Sequence, residues 1–254
     1  MKVETGFLTR ALALICLTMS AAHGASVHLK YDASSPQASY AARKLSASLS
    51  ELGHTLPDDP AKSNYRIDLS IRPKRLAAES FSISADANRI SIEGGDSRGL
   101  IYGALALREQ LLNGTPLEKI ATARETPALP FRGIKFNTPW DTYRPSSALD
   151  QHYATARDLK FWEAWLDMMV ENRFNAFTLW TMHPFTYMVR PKNFPEAGKW
   201  SDAEFAEWQH LYREIFRMAK ERGLDTYIVF WSIFVSEEFA KAHNVAGKNF
   251  YPHY

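Results

Sequence analysis

Three apolar segments in the second half of the chain are each followed by polar and aromatic side chains. An indole ring has a flat apolar face and a polar edge, and amide, carboxylate and imidazole groups hydrogen-bond hydroxyls, so this combination suits a sugar. The competing interpretations are core packing for the tryptophans and loop capping for the asparagine and the histidine. The predicted substrate-binding residues are Asn137, Trp140, Asp141, Trp180, His183 and Trp231.

Hydrolysis of a glycosidic bond needs two carboxylates about 5 to 9.5 Å apart, and the sequence offers no convincing pair. Glu237 and Glu238 follow the third apolar segment. Adjacent residues on a helix point in different directions, so this pair is more typical of a solvated helix start. The catalytic residues therefore stay unknown at this stage.

The sequence contains no motif for metal binding or for phosphate binding. The chain has a single cysteine, Cys16, and its eight histidines form no H-E-x-x-H motif. The glycine-rich stretch at residues 94–99 lacks the pattern of a phosphate-binding loop and predicts a tight strand-to-helix turn. We therefore predict no metal site and no cofactor.

The composition excludes several classes of protein and suggests two modules. Of the 254 residues, 46% are hydrophobic and 23% are charged, which is typical of a globular protein and not of a disordered one. A net charge of +2 gives no support for nucleic-acid binding. Only six of the 33 aromatic residues precede Phe131, which indicates a module boundary near residue 130.

The first 24 residues have the pattern of a secretory signal peptide. Lys2 and Arg10 precede an uncharged apolar run at residues 11–19, and Ala22 and Gly24 provide small residues for cleavage. The run is shorter than the roughly 20 residues that span a bilayer. We predict an exported protein, periplasmic or extracellular, with no membrane contact after the signal is removed; a frayed N-terminal helix is the alternative.

Residues 25–125 predict a small α+β domain with the order β-α-β-β-β-α. Alternating segments indicate strands, and apolar residues at helical spacing indicate helices. The predicted strands are residues 26–31, 65–71, 81–85 and 89–93, and the predicted helices are residues 36–52 and 97–112.

The end of this domain carries a family resemblance. Gly99-Leu100-Ile101-Tyr102-Gly103, followed by Gln110-Leu111-Leu112, resembles the closing helix of the non-catalytic N-terminal domain in bacterial β-N-acetylhexosaminidases and α-glucuronidases. The resemblance implies a glycoside hydrolase, and it implies that this domain itself carries no catalytic residue.

A proline-rich linker at residues 126–130 leads to a second module at residues 131–254, where strands alternate with amphipathic helices. Strands without polar alternation between such helices indicate parallel βαβ units. Arg132-Gly133 after Pro130 resembles the opening of the catalytic (β/α)8 barrel in the same enzymes. Such a barrel takes about 250 residues, so we expect an incomplete barrel containing the first three strands only.

The leading hypothesis is thus the N-terminal fragment of an exported glycoside hydrolase that acts on a carbohydrate, and that is inactive alone. In the hexosaminidases that this chain resembles, the first barrel strand ends in an Asp-x-x-Arg motif, and the catalytic acid pair follows the fourth strand. At the positions of that Asp and Arg, this chain has Asn137 and Trp140. Specificity for N-acetylhexosamine is therefore not predicted, nor is the oligomeric state. The alternative hypotheses are a complete three-stranded domain and a non-catalytic carbohydrate-binding or scaffold protein.

Overall fold

The computed structural model describes residues 24–140, 146–182, 184–229 and 237–244, which form two sheets with helices. The first module contains five strands and two long helices, as the sequence predicts except for one additional short strand. Its elements are β1 (Val27–Lys30), α1 (Pro36–Glu51), β2 (Tyr65–Ile71), β3 (Phe81–Asp86), β4 (Arg89–Gly94), α2 (Ser97–Leu112) and β5 (Ala123–Glu125).

The five-stranded sheet is mixed. Its strand order is β1-β2-β4-β3-β5, in which β1, β2 and β4 are parallel while β3 and β5 run antiparallel to their neighbours. The apolar faces of α1 and α2 are buried with the sheet in one core, which Val170 of the second module also joins. The sequence prediction of an α+β module is therefore confirmed, and its core extends past the linker.

The glycines of the Gly-Leu-x-Tyr-Gly motif allow α2 to lie close to its neighbours. A Cβ atom at Gly99 would stand 2.1 Å from the carbonyl oxygen of Ser80. At Gly103 it would stand 2.7 Å from Cγ2 of Ile92 and 3.2 Å from Cβ of Phe81. All three distances are shorter than van der Waals contact, so only glycine fits at these two positions without movement of the sheet.

We expect Gly103→Ala to lower the free energy of unfolding by about 1–3 kcal/mol, because overpacking displaces Ile92 and Phe81. Urea denaturation followed by circular dichroism measures the effect. Gly198→Ala is the matched control, since a Cβ there meets nothing within 4 Å and its φ is −111°. Equal stability of the two variants would show that the motif does not enforce close packing.

The second module has three parallel strands, paired in chain order, with helices in the connections. This alternation was predicted, apart from α3, in which Ala156 is the one buried residue. The described elements are β6 (Gly133–Asn137), α3 (Ser147–Arg157), α4 (Leu159–Glu171), β7 (Ala176–Trp180), α5 (Asp202–Glu221), β8 (Asp225–Val229) and α6 (Glu237–Ala242).

Aromatic side chains join one face of this sheet to the helices. The ring centroid of Trp162, on α4, lies 4.8 Å from that of Phe136 on β6 and 5.7 Å from that of Phe177 on β7. Ile215 and Trp208 of α5 belong to the same buried cluster. The helix α5 begins at a capping box, in which Ser201 and Glu204 satisfy each other's backbone N–H groups.

Candidate functional site

The helices pack on the sheet face that carries Phe136 and Phe177. The predicted site residues of the strands, Asn137 and Trp180, lie on the opposite face. The strand register places Lys135, Thr178 and Tyr227 side by side, and the next row towards the carboxyl ends of the strands holds Asn137, Trp180 and Val229. Tyr227 is 45% exposed and Val229 37% exposed. Among the described residues, this face is therefore left uncovered over much of its area.

Among the predicted site residues that the structure describes, Asn137 is the exposed one. It is exposed at the carboxyl end of β6, and its side chain makes no hydrogen bond to the described residues. An amide offers one acceptor and two donor hydrogens, which suits neighbouring sugar hydroxyls. The structure agrees with the predicted location, and the role remains a prediction.

Trp140 and Trp180 differ from the sequence interpretation, because both are only 4% exposed. Trp140 donates a hydrogen bond from Nε1 to the hydroxyl of Tyr212 at 3.1 Å, and its ring lies 4.8 Å from that of Trp208. The polar edge is satisfied by protein, and the ring faces are packed. The prediction that both rings bind a sugar is therefore corrected. Trp140 is a core residue, and the ring of Trp180 is too buried for a sugar to stack on it.

The remaining three predicted residues, Asp141, His183 and Trp231, lie outside the described residues. The described ends of the three strands, Asn137, Trp180 and Val229, carry no carboxylate. Within the described ranges, no group of three or more His, Cys, Asp or Glu side chains is placed to hold a metal ion.

A carboxylate from the first module contacts the opposite, amino end of this sheet. Glu79 is paired with Arg132, the residue before β6, and accepts a hydrogen bond at 2.8 Å from Nδ2 of Asn175, the residue before β7. It also accepts from Arg98 at 3.0 Å, and Arg98 is paired in turn with Asp225, the first residue of β8. We call these five residues the strand clamp.

The strand clamp is reinforced by the backbone. Oδ1 of Asn175 accepts from the backbone N–H of Arg132 at 2.8 Å, and Nδ2 also donates to the carbonyl of Pro130. The backbone N–H of Asp225 donates to the carbonyl of Asn175 at 2.9 Å. Side chains and backbone together therefore fix the start of all three strands relative to one another.

Burial and pairing act in opposite directions on the Glu79 carboxyl. Burial alone raises the pKa of this group, whereas hydrogen bonds from Arg132, Asn175 and Arg98 lower it, and the pKa lies below its ordinary value. The backbone of Glu79 adopts a left-handed conformation with φ 61°, which is uncommon for a residue with a side chain. Sequence reasoning missed Glu79, because its partners lie far away in the chain and no local pattern marks it.

A second charged contact joins the modules through Asp167 of α4. Its carboxylate accepts hydrogen bonds from the Tyr40 hydroxyl at 2.9 Å and from Nε of Arg222 at 2.6 Å, and it pairs with Lys44 at 3.2 Å. Burial raises the pKa of Asp167, and the charges of Arg222 and Lys44 lower it to below its ordinary value. Burial also raises the pKa of Tyr40.

We expect Glu79→Gln to lower the free energy of unfolding at pH 7 by about 3 kcal/mol, because it leaves Arg132 and Arg98 without their shared anion. A carboxyl with a lowered native pKa stabilises the fold above its unfolded pKa of about 4.3, and this stability is lost as pH falls through the native pKa. The difference between the two proteins should therefore shrink in acid.

Urea titrations between pH 3 and pH 7 measure this difference, with the exposed Glu118→Gln as the matched control. A constant difference across that range would show that the charge of Glu79 contributes nothing to stability.

The first module matches the model of a known protein family. Residues 16–124 match the model of glycosyl hydrolase family 20, domain 2. This match confirms the resemblance of the N-terminal region to the glycoside hydrolase group. A comparison with functionally curated proteins gave no match.

Solved structures share the fold over most of this chain. A GH138 enzyme, described as targeting pectin rhamnogalacturonan II, is 24% identical with a TM-score of 0.76, over 86% of this chain and 33% of its own. A β-N-acetylhexosaminidase from Bacteroides fragilis is 16% identical (TM-score 0.51; 80% of this chain, 40% of its own). A β-hexosaminidase from Streptomyces plicatus is 14% identical (TM-score 0.53; 81% and 41%). The chain thus spans about a third to two fifths of the length of these proteins.

Proposed function

We propose that this chain is the N-terminal region of a glycoside hydrolase, in which β6, β7 and β8 are the first three strands of a (β/α)8 barrel. One observation carries the proposal: a module that matches glycosyl hydrolase family 20, domain 2 is joined directly to three parallel strands with helices in their connections.

The uncovered sheet face supports the barrel. The helices pack against Phe136 and Phe177 on one face, while Lys135, Asn137 and Tyr227 on the other remain exposed. Within the described ranges, β6 and β8 also lack a partner on their outer edges. Closing a barrel pairs such edges and turns the second face towards the barrel interior.

In this proposal the chain contributes one wall of the sugar site and not the acid–base pair. Active sites of (β/α)8 barrels lie at the carboxyl ends of the strands, where Asn137 is the exposed candidate for binding a sugar hydroxyl. Asp141, His183 and Trp231 stay candidates by their positions in the sequence. The two carboxylates that hydrolysis requires belong to other strands of the same barrel.

The coding sequence around Tyr254 provides the direct test. We expect it to continue and to encode further alternating strands and helices, and we expect the extended protein to hydrolyse an aryl glycoside or an oligosaccharide. A stop codon at that point, with a soluble monomeric product, would support the alternative of a non-catalytic carbohydrate-binding or scaffold protein.

We expect the 254-residue chain alone to show no turnover, because loss of one proton-transferring group typically costs about 10²–10⁴-fold and our proposal assigns both groups to further strands of the barrel. Purified chain and extended protein are assayed side by side on aryl glucuronides, aryl N-acetylglucosaminides and xylan oligomers. Turnover by the short chain that is abolished by Asp141→Asn or Glu237→Gln would place the catalytic pair inside this sequence and overturn the proposal.

Export is a second part of the proposal, and it rests on the charged start, apolar run and small residues of positions 1–24. Removal of this segment would leave β1 complete, since the strand starts at Val27. Within the described residues, no helix has the length and apolar character needed to cross a membrane. Mass spectrometry of protein from the native host should find an N-terminus near Ala25, and mature protein that retains Met1 would refute export.

A further inference from the structure

The five-stranded sheet of the first module packs on its helices with one face and presents charged side chains on the other. The apolar residues of its strands belong to the core with α1 and α2, and strand alternation directs the residues between them to the opposite side. We call that side the arginine face. Its cationic side chains are Lys30, Arg66, Arg72, Arg75, Arg89 and Arg124, and its acidic side chains are Asp68, Asp86 and Glu93.

Positive charge is concentrated on the arginine face. Six cationic side chains against three acidic ones leave an excess of three positive charges, whereas the whole chain has a net charge of only +2. Asp68 is shared by Arg66 and Arg89, each with its Nε 2.7 Å from a carboxylate oxygen. Because one carboxylate cannot neutralise two guanidinium groups, this cluster stays positive.

A second cluster repeats the same arrangement. Glu93 is shared by Arg72 at 3.3 Å and Arg75 at 3.4 Å. Arg124 donates a hydrogen bond at 3.4 Å to the carbonyl oxygen of Arg75 and has no acidic partner among the residues that the structure describes. The Arg75 side chain is 70% exposed, and a guanidinium group has five N–H donors, so donors remain free for a partner.

The arginine face is directed away from the second module. Tyr40 of α1 bonds Asp167 of α4, and Arg108 of α2 pairs with Glu171 of α4, so the two helices lie between the five-stranded sheet and the second module. The strands direct no apolar side chain to the arginine face and place serines between its charges. A polar and charged partner suits such a surface better than a lipid bilayer, which also takes up apolar side chains.

The two clusters are spaced as alternate residues of a β-strand. Asp68 is in register with Ser91 of β4, and Glu93 lies two residues further along the same strand. Two residues of a strand span about 6.6 Å, and the side chains on one side of an extended peptide repeat at that distance. An extended segment with acidic residues at alternate positions therefore matches the spacing of the clusters.

We propose that the arginine face binds an acidic segment of another protein, in an extended conformation with Asp or Glu at alternate positions. Guanidinium groups bind carboxylates through paired N–H···O bonds, so the segment repeats the contacts that Asp68 and Glu93 already make. The inference goes beyond the proposed function and does not depend on it, because the arginine face belongs wholly to the first module.

The test measures binding of matched synthetic peptides to the 254-residue chain by fluorescence anisotropy in low salt. One peptide alternates Glu with Ser, the second has Gln in place of Glu, and the third has the composition of the first with all its Glu residues consecutive. We expect the alternating Glu peptide to bind about tenfold more tightly than the Gln peptide, the effect of one hydrogen bond to a charged group. It should also bind more tightly than the consecutive peptide, and 0.5 M salt should weaken the preference.

Two double variants locate the binding surface. Arg75→Gln with Arg124→Gln removes two charges from the arginine face and should abolish the preference for Glu. The matched control is Lys119→Gln with Arg213→Gln, which removes two exposed charges elsewhere and should leave the preference unchanged. Circular dichroism spectra and thermal midpoints equal to those of the unmodified protein establish that both variants are folded.

The outcomes are distinct. Equal binding of the Glu and Gln peptides, or a preference that survives loss of Arg75 and Arg124, overturns the proposal. Equal binding of the alternating and consecutive peptides overturns the extended arrangement. Tighter binding of polygalacturonate or of phosphatidylglycerol vesicles, lost in the same variant, would replace the protein segment by a polysaccharide or a lipid surface. None of these results bears on hydrolysis by the extended protein, which tests the proposed function separately.

Discussion

The pairing of Glu79 is the constraint on which the arrangement of the two modules depends. A half-buried carboxylate is stable only with partners, and this one has them at the amino ends of β6 and β7 and, through Arg98, at β8. The first module therefore does more than precede the parallel sheet along the chain. It holds the starting residues of three strands, and Val170 of α4 completes its apolar core.

Because the first module is attached at the amino ends of β6, β7 and β8, the two ends of this sheet have different surroundings. The amino ends are fixed by charge pairs with the first module and by hydrogen bonds among Arg132, Asn175 and Asp225. At the other end, Asn137 is exposed where β6 finishes. In (β/α)8 barrels the amino-terminal face serves stability and the carboxyl-terminal face serves chemistry. The contacts of Glu79 and Arg98 lie at the amino ends, away from the carboxyl-end site that we propose.

Sequence patterns were sufficient for elements whose packing is periodic. The helices α2 and α5 were predicted because their apolar residues repeat at helical spacing, and the strand β7 was predicted as an uninterrupted apolar segment between two such helices. The helix α3 buries only Ala156 and gives no such signal. Glu79 was missed, and the hydrogen bond from Trp140 to Tyr212 was not predicted, because these contacts join residues more than 50 positions apart, which no local spacing reveals.

Strand alternation decides which side chains of β6 lie on the uncovered face of the sheet. Alternation along β6 directs Ile134 and Phe136 towards the helices and Lys135 and Asn137 to the opposite face. The interior of a packed barrel is normally filled with branched apolar side chains. In the barrel that we propose, the exposed Lys135 and Asn137 depart from this apolar filling and make that part of the interior polar.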